Sequence, residues 1–420
     1  MMHPAALPDR TDVLVVGAGP AGSACALALA RSGRSVLLVD QHHFPRDKIC
    51  GDALIPDTHA ALKRMGVYEE VASLARPVPH VRCVAPRGGH VDVPGTLSVL
   101  PRKVLDHVLV RAAERAGARL LTPLRFEAPL LDGERVAGGR FHRSDAPDGT
   151  PAHDIHARWV VLATGAVPQA LTAAGLCERH TPSGTAVRTY VRHPGMAEKV
   201  PQLQVVWHRE LRGGYGWIFP APGCVYNIGA GITESHLVQA GRGRRQGMNL
   251  RKRFEAFCEV HPPAAELMQG GETLGPLKGA PLRFSLRGAK WSRPGLLAAG
   301  EAAGSTYAFT GEGIGKALES GLLAAEALLR HTAANEVTCD AMHDAAVRQH
   351  YESGLRRLQP QFLLYERAGR LNDHPWMADL LVWRARKSPR ILRRLAGVLE
   401  ETQNPARLFT LSGVTKLMFE

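Results

Sequence analysis

No apolar run in these 420 residues reaches the ~18 needed to cross a bilayer, so no membrane-spanning helix is expected. The opening MMHPAALPDR lacks the charged and apolar regions of a secretory signal, and a cytoplasmic protein is the expectation. Cysteine is sparse and scattered. Cys25, Cys50, Cys83, Cys177, Cys224, Cys258 and Cys339 are odd in number and form no CxxC pair, which argues against a disulfide framework and against a zinc site. Acid is the minority charge, because 52 Lys and Arg against 39 Asp and Glu leave a net +13. Such an excess invites anionic partners. Nothing resembles an RNA- or DNA-binding module, so nucleic acid is set aside. The densest basic run, Arg242 to Arg253 (RGRRQGMNLRKR), holds six basic residues and no acid. It reads either as a solvated helix face or loop, or as a collar for an anionic head group or a carrier-protein arm. Aromatics are only 6% of the chain, whereas 45% apolar residues are enough for the core of one two-lobed unit or two domains. There is no internal repeat and no low-complexity linker.

What is present begins at Thr11 to Asp40, TDVLVVGAGPAGSACALALARSGRSVLLVD. An apolar run breaks at Gly17-Ala18-Gly19-Pro20-Ala21-Gly22, enters a small-residue helix and emerges in a second apolar run ending at Asp40. The pattern predicts strand, glycine turn, helix and strand. Gly17 makes the tight turn, Gly19 lets backbone approach a pyrophosphate, and Gly22 lets helix and strand pack closely. Free N–H groups and the positive end of the helix dipole then face that pyrophosphate. Asp40 stands at the spacing of a carboxylate that binds a ribose hydroxyl. Dinucleotide binding is therefore expected, with a merely tight strand-to-helix turn as the bland alternative.

Gln41 to Asp52 is too polar and broken for a strand and should be a loop crossing the nucleotide site. Pro56 to Met65 reads as a helix, Val81 to Val93 as a hairpin, and Leu100 to about Ala116 as a second helix. Arg158 to Ala166 is a buried strand ending in a turn at Gly165, and Pro294 to Gly304 repeats that ending at Gly300-Glu301. The strands ending near Asp40, Gly165 and Glu301 should converge on one nucleotide. From Ala186 to Ile232 strand-like runs alternate. There Tyr215, Trp217 and Phe219 share one face, because side chains alternate along a strand. They read as core between two layers or as the wall of an apolar substrate cavity. Thr310 to Gly315 opens a small-residue helix reaching Leu329, whose N-terminus offers N–H groups to an electron-rich ligand edge. The remainder is helical and mildly basic. Trp376, Leu380, Trp383, Leu392, Leu395 and Leu399 form apolar stripes beside Arg384, Arg386, Lys387, Arg393 and Arg394, suited to packing on the body or to a peripheral membrane face or lid.

Three motifs carry a resemblance. Pro45 to Gly51 reads PRDKICG, Tyr215 to Pro220 reads YGWIFP, and Gly311 to Ile314 reads GEGI. With the glycine turn and Asp40, they make the chain similar to FAD-dependent oxidoreductases of the geranylgeranyl reductase group. That group lies within the superfamily of para-hydroxybenzoate hydroxylase-like flavoproteins and flavin halogenases. The resemblance implies an α/β fold: a Rossmann-like FAD-binding domain (residues 1–185 and 286–332), an inserted antiparallel β-sheet substrate domain (186–285) and a helical C-terminal region (333–420). It implies FAD held by Gly17, Gly19, Pro20, Ala21, Gly22, Asp40 and Gly165, with Arg102 near the diphosphate. Arg46, Cys50 and Gly51 would lie close to the flavin, as would Gly311, Gly313 and Ile314, and Glu301 would stand on the ribityl chain where the superfamily has Asp. Ala308 replaces the usual proline of Pro-Phe-Thr, and Ala166-Val167-Pro168 replaces the Asp-Gly tied to nicotinamide handling, which leaves the route of flavin reduction open, with NAD(P)H the expected donor.

The implied chemistry is hydride transfer from reduced flavin to an alkene carbon of a prenyl or other apolar substrate, with a proton reaching the neighbouring carbon. Cys50 and Tyr215 are the catalytic candidates, and Cys50 reads alternatively as a small packing residue. Tyr215, Trp217 and Phe219 would hold the substrate. Glu312 and Tyr307 are further proton-donor candidates, His42 and His43 are read as surface residues, and no metal is expected. The rival chemistries are a monooxygenase, a halogenase whose WxWxIP segment YGWIFP only loosely approximates, and a dehydrogenase or oxidase acting on a carrier-bound substrate. Outside enzymes, a flavin-binding sensor or membrane-docked redox partner is the alternative.

Overall fold

The strand Arg10–Val16 is apolar and buried on both faces from Val13 onward, as a central parallel strand must be. In the computed structural model, which describes residues 8–147, 149–178, 183–233, 249–332 and 341–403, it pairs parallel with Val36–Val39 and with His153–Leu162. Arg119–Leu121 and Leu296–Ala298 add outer parallel strands. Segments far apart in sequence thus build one sheet, with their glycine-rich ends at a common edge. A hairpin, Leu124–Asp132 with Arg135–Arg143, extends the sheet antiparallel from His153–Leu162.

Close helix packing follows from small residues. The helix Pro20–Arg31 is almost entirely buried, and a Cβ on Gly22 would fall 1.8 Å from Gly17 O. Ile314–His331 crosses it so tightly that a Cβ on Gly321 would fall 2.1 Å from Ala21 O. Both helix N-termini, at Gly19 and Gly313, carry no side-chain cap.

The second sheet centres on Gly184–Arg192, Val225–Ile232, Gly214–Ala221 and Leu203–Val206, all antiparallel. It is not confined to residues 186–285. Leu203–Val206 pairs parallel with Arg76–Val84, which continues into His90–Val99 and Ala53–Leu54. The period-2 pattern assigns the faces of Gly214–Ala221. Ile218 is fully buried, and at Gly216 the ring of Phe257, from helix Leu250–Val260, comes within 2.2 Å of where a Cβ would stand. Tyr215, Trp217 and Phe219 take the opposite face.

The C-terminal helices Ala341–Ala368, Trp376–Ala385 and Pro389–Leu399 complete the molecule. The last begins at a Ser388 cap followed by Pro389. The Trp376 and Trp383 stripe does not pack on the body, one of the two placements expected for it. Ala378, Leu381, Val382 and Ala385 are buried, while Trp376 is 61% and Trp383 47% exposed. The helix has two apolar faces, and the slimmer one fits where the hairpin presents Gly89 to Val382. Among the described residues no helix is long and apolar enough to cross a membrane.

Candidate functional site

Between the two sheets and beneath the C-terminal helices lies a cavity of about 1200 Å³. Its polar end is the glycine turn. Gly17 has φ +102°, and a Cβ there would sit 2.3 Å from Ala163 O, so only glycine serves. At Gly19 the nearest atoms to a Cβ are the guanidinium tips of Arg46 and Arg102, each at 3.7 Å. Backbone N–H groups at an uncapped helix start, flanked by two guanidiniums, form a cradle suited to a diphosphate. Gly17, Gly19, Pro20 and Ala21 line the cavity, whereas Gly22 stands behind the turn and sets the packing.

Asp40 fastens this turn. Its Oδ2 accepts from Ala18 N at 2.9 Å and its Oδ1 from His42 N at 3.0 Å, leaving lone pairs toward the cavity. Arg46 bridges Asp40 (3.5 Å) and Asp106 (3.0 Å). Arg102 forks onto Asp106, with Nε to Oδ1 at 2.6 Å and Nη2 to Oδ2 at 2.8 Å. Burial alone would lower the Arg102 pKa, but the Asp106 carboxylate outweighs burial and raises it, with the Cys50 thiol adding to the same side. Asp106 escaped the sequence reading although the signal was present, since it stands four residues after Arg102 on one helix face.

The PRDKICG loop reaches the aromatic wall through a second group that was not anticipated. Asp52 is fully buried and accepts from Tyr190 Oη (2.5 Å), Asn227 Nδ2 (2.8 Å) and Arg102 N (3.2 Å). Burial pushes its carboxyl up to about 6, and these donors together with Arg188 pull against that rise. Asn227 also donates to Cys50 O at 2.6 Å and accepts from Trp217 Nε1 at 2.9 Å. Cys50, Asp52 and Trp217 are therefore held by one amide. Gly51 allows the contact, since a Cβ there would be 2.9 Å from the Phe219 ring.

The wall itself is longer than the three aromatics expected. Ring centroids run from Phe219 to Trp217 to Tyr215 at 6.3 Å each, then to Trp207 at 6.2 Å and Phe309 at 6.4 Å. Trp207 is held by Asn372 Oδ1 at 2.9 Å. A Cβ on Gly229 would be 2.3 Å from the Trp217 ring, so that glycine makes the indole's seat. The Tyr215 hydroxyl donates to Thr310 O, which ties the wall to the Gly311 turn. Burial, then the neighbouring Glu312 and Cys50, raise its pKa above the usual phenol range, so it is a neutral phenol.

Glu312, Gly311, Gly313 and Ile314 border the cavity at the start of helix Ile314–His331. Burial, then the Asp57 and Glu401 carboxylates, push Glu312 up to about 8. Behind it Lys316 meets Glu401 at 2.8 Å, Glu319 at 3.0 Å and Asp57 at 3.8 Å. Tyr307 donates to Glu401 at 2.9 Å and stacks on Tyr365, so it lies in this second layer. Glu301 also lines the cavity, with Oε1 3.4 Å from Arg283 N. Gly165 lines it too, as the expected turn. His43 is exposed beside Asp145, as read.

The basic run divides. Arg253 is buried and donates to the carbonyls of Gly231 (3.0 Å), Leu211 (2.5 Å) and Arg212 (3.3 Å), so this arginine is a structural clamp and not part of a collar. Arg251 and Lys252 are exposed, and 242–248 lie outside the described residues.

A family profile described as FAD binding domain matches residues 10–227. The menaquinone reductase of Mycolicibacterium smegmatis is 31% identical over 379 residues, covering 84% of this chain and 86% of that protein. Digeranylgeranylglycerophospholipid reductase 1 of Methanopyrus kandleri is 28% identical over 319 residues, 75% of this chain and 79% of that one. Among solved structures, a geranylgeranyl bacteriochlorophyll reductase-like protein from Thermoplasma acidophilum superposes with TM-score 0.69 at 20% identity, covering 99% of this chain and 97% of its own. A flavin-dependent brominase superposes with TM-score 0.68 at 17% identity over 97% of each chain. At such identities the structural likeness speaks to fold alone.

Proposed function

The chain belongs to the FAD-binding-domain family and, within it, to the geranylgeranyl reductase group of FAD-dependent oxidoreductases, and from that membership we propose that it reduces carbon–carbon double bonds of a prenyl or similarly apolar substrate. Relatives named as reductases of menaquinone and of digeranylgeranylglycerophospholipid support the substrate class. The observation that carries the reading is the cavity of about 1200 Å³, which runs from the glycine turn along five aromatic rings to an aliphatic roof. Its size and lining suit both a dinucleotide and a greasy chain.

FAD fits the residues present. The Gly19 backbone with Arg46 and Arg102 would hold the diphosphate, Asp40 a ribose hydroxyl, Glu301 the ribityl chain, and the helix start at Gly313 the electron-rich edge of the ring. Bound and reduced, FAD supplies the hydride. The protein's own groups do the rest. Trp217 and Phe219 orient the chain and exclude water. Glu312 holds a proton at the cavity wall near neutral pH, where a general acid is most useful. Tyr215 positions that acid by pinning Thr310, and the Cys50 thiol, set against Arg102, is the second proton source at the wall.

The test is a single turnover without oxygen. Protein reduced with dithionite, or with NAD(P)H as the first physiological donor tried, is mixed with menaquinone or a geranylgeranyl lipid. The expected result is reoxidation of the flavin together with a product gaining one hydrogen pair. Reoxidation only after oxygen is admitted, with an oxygen or halogen atom in the product, overturns the reading in favour of an oxygenase or halogenase.

A further inference from the structure

The helix Trp376–Ala385 and its neighbour Pro389–Leu399 are roof on one side and surface on the other. Ala378, Leu381 and Val382 of the first, with Leu395, Val398 and Leu399 of the second, line the cavity from above. On the outside, Trp376 is 61% and Trp383 47% exposed, and their spacing sets them two helical turns apart on the same face. Arg386, Lys387, Arg390 and Arg393 are exposed around them. Arg384 and Lys387 lie over the Trp383 ring at 5.3 and 4.7 Å. Residues 380–399 contain no acid, and Asp379 just before them is engaged by Arg87, accepting from its N–H at 3.0 Å.

We propose that this outer face docks the protein on an anionic lipid membrane, so that an apolar substrate moves from bilayer to cavity beneath the same two helices. Two independent features favour a bilayer over other occupants. Exposed indoles with adjacent cationic side chains suit the headgroup layer, where an amphipathic ring and a snorkelling cation are both satisfied. The basic surround, whose nearest carboxylate, Asp379, is already engaged by Arg87, complements anionic headgroups across the patch rather than at one point. Continuity with the cavity supplies the reason for such a face. A substrate that partitions into lipid would otherwise have to cross water to reach the aromatic wall. The inference takes from the proposed function only the apolar character of the substrate.

The experiment is vesicle flotation of the full-length, flavin-loaded protein on equal parts phosphatidylglycerol and phosphatidylcholine, and on phosphatidylcholine alone. The wild type should float with the mixed vesicles, at least ~10-fold more weakly with the neutral ones, and lose binding as salt rises. Two variants separate the contributions: Trp376→Ala with Trp383→Ala, and Arg386→Ser, Lys387→Ser, Arg390→Ser and Arg393→Ser together. Each should weaken flotation at least ~10-fold while the thermal midpoint and flavin spectrum stay as in the wild type, because these side chains are exposed. Wild-type protein that stays in bulk solution with anionic vesicles overturns the proposal, even if the patch then proves to bind an acidic protein. Variants that float like the wild type overturn it as well. Flotation requires no turnover, so its failure is distinct from failure of the reductase reading.

Discussion

Glu312 couples the pH dependence of stability to that of chemistry. Its folded-state pKa, about 8, lies above the ~4.3 of an unfolded glutamate. Between those values the folded protein holds a proton that the unfolded chain has released. The stability contributed by protonated Glu312 is therefore complete below ~4.3, declines as pH rises and is gone above about 8. Glu312→Gln removes that slope. Urea unfolding between pH 5 and 8 should be flatter in the variant than in the wild type, with the difference isolating Glu312 from Asp57, which burial also raises, to about 6. Loss of a general acid predicts a single-turnover rate lower by ~10²-fold or more. A variant with the wild-type rate would remove Glu312 from the chemistry, leaving Cys50 as the donor to test. The residue-level surprises were all partners of residues the motifs had already marked. Asp106 could have been read from its place four residues after Arg102, whereas Asp52 and Asn227 are single polar groups in apolar surroundings, and only the folded chain reveals that they meet a phenol and an indole.

The strand–turn–helix unit from Arg10 to Val39 was legible because its constraints are local. Glycines at fixed offsets answer to backbone approach within the same segment, and the apolar runs have a single period. Gly22→Ala tests that constraint. With a Cβ only 1.8 Å from Gly17 O, the helix must move off the strand, which should cost about 1–3 kcal/mol in urea unfolding and weaken FAD affinity in a fluorescence titration. Unchanged affinity would mean that the turn does not cradle the cofactor. Two elements were hidden for a physical reason. Leu203–Val206 finds its parallel partner in Arg76–Val84, a pairing within one sheet of strands far apart in sequence that no local pattern encodes. Helix Trp376–Ala385 has apolar residues on two faces, and periodicity cannot say which of them goes inward. Side-chain bulk decided it: the alanine-rich face closed on the hairpin and the indoles were left outside.

At the scale of the molecule, the site belongs to no single segment. The parallel sheet supplies the diphosphate cradle, the second sheet the aromatic wall, the Gly311 turn the half-buried acid Glu312, and the C-terminal helices the roof. A change at the roof should therefore alter which chains are accepted without disturbing the cradle at the far end. Ala378 is 1% exposed and faces the cavity, so Ala378→Trp projects a ring into the space the substrate would occupy. Leu395→Trp fills the same region from the neighbouring helix, with less risk of overpacking because Leu395 is only half-buried. For both variants the KM for a long prenyl chain should rise at least ~10-fold, the scale on which a pocket discriminates by a few methylenes. The KM for a short-chain analogue and the flavin titration should stay within about twofold of wild type, given the usual independence of distant sites. Equal losses for long and short chains in both variants would mean that the roof supports the fold rather than measures the substrate, and the apolar end of the cavity would then need another occupant.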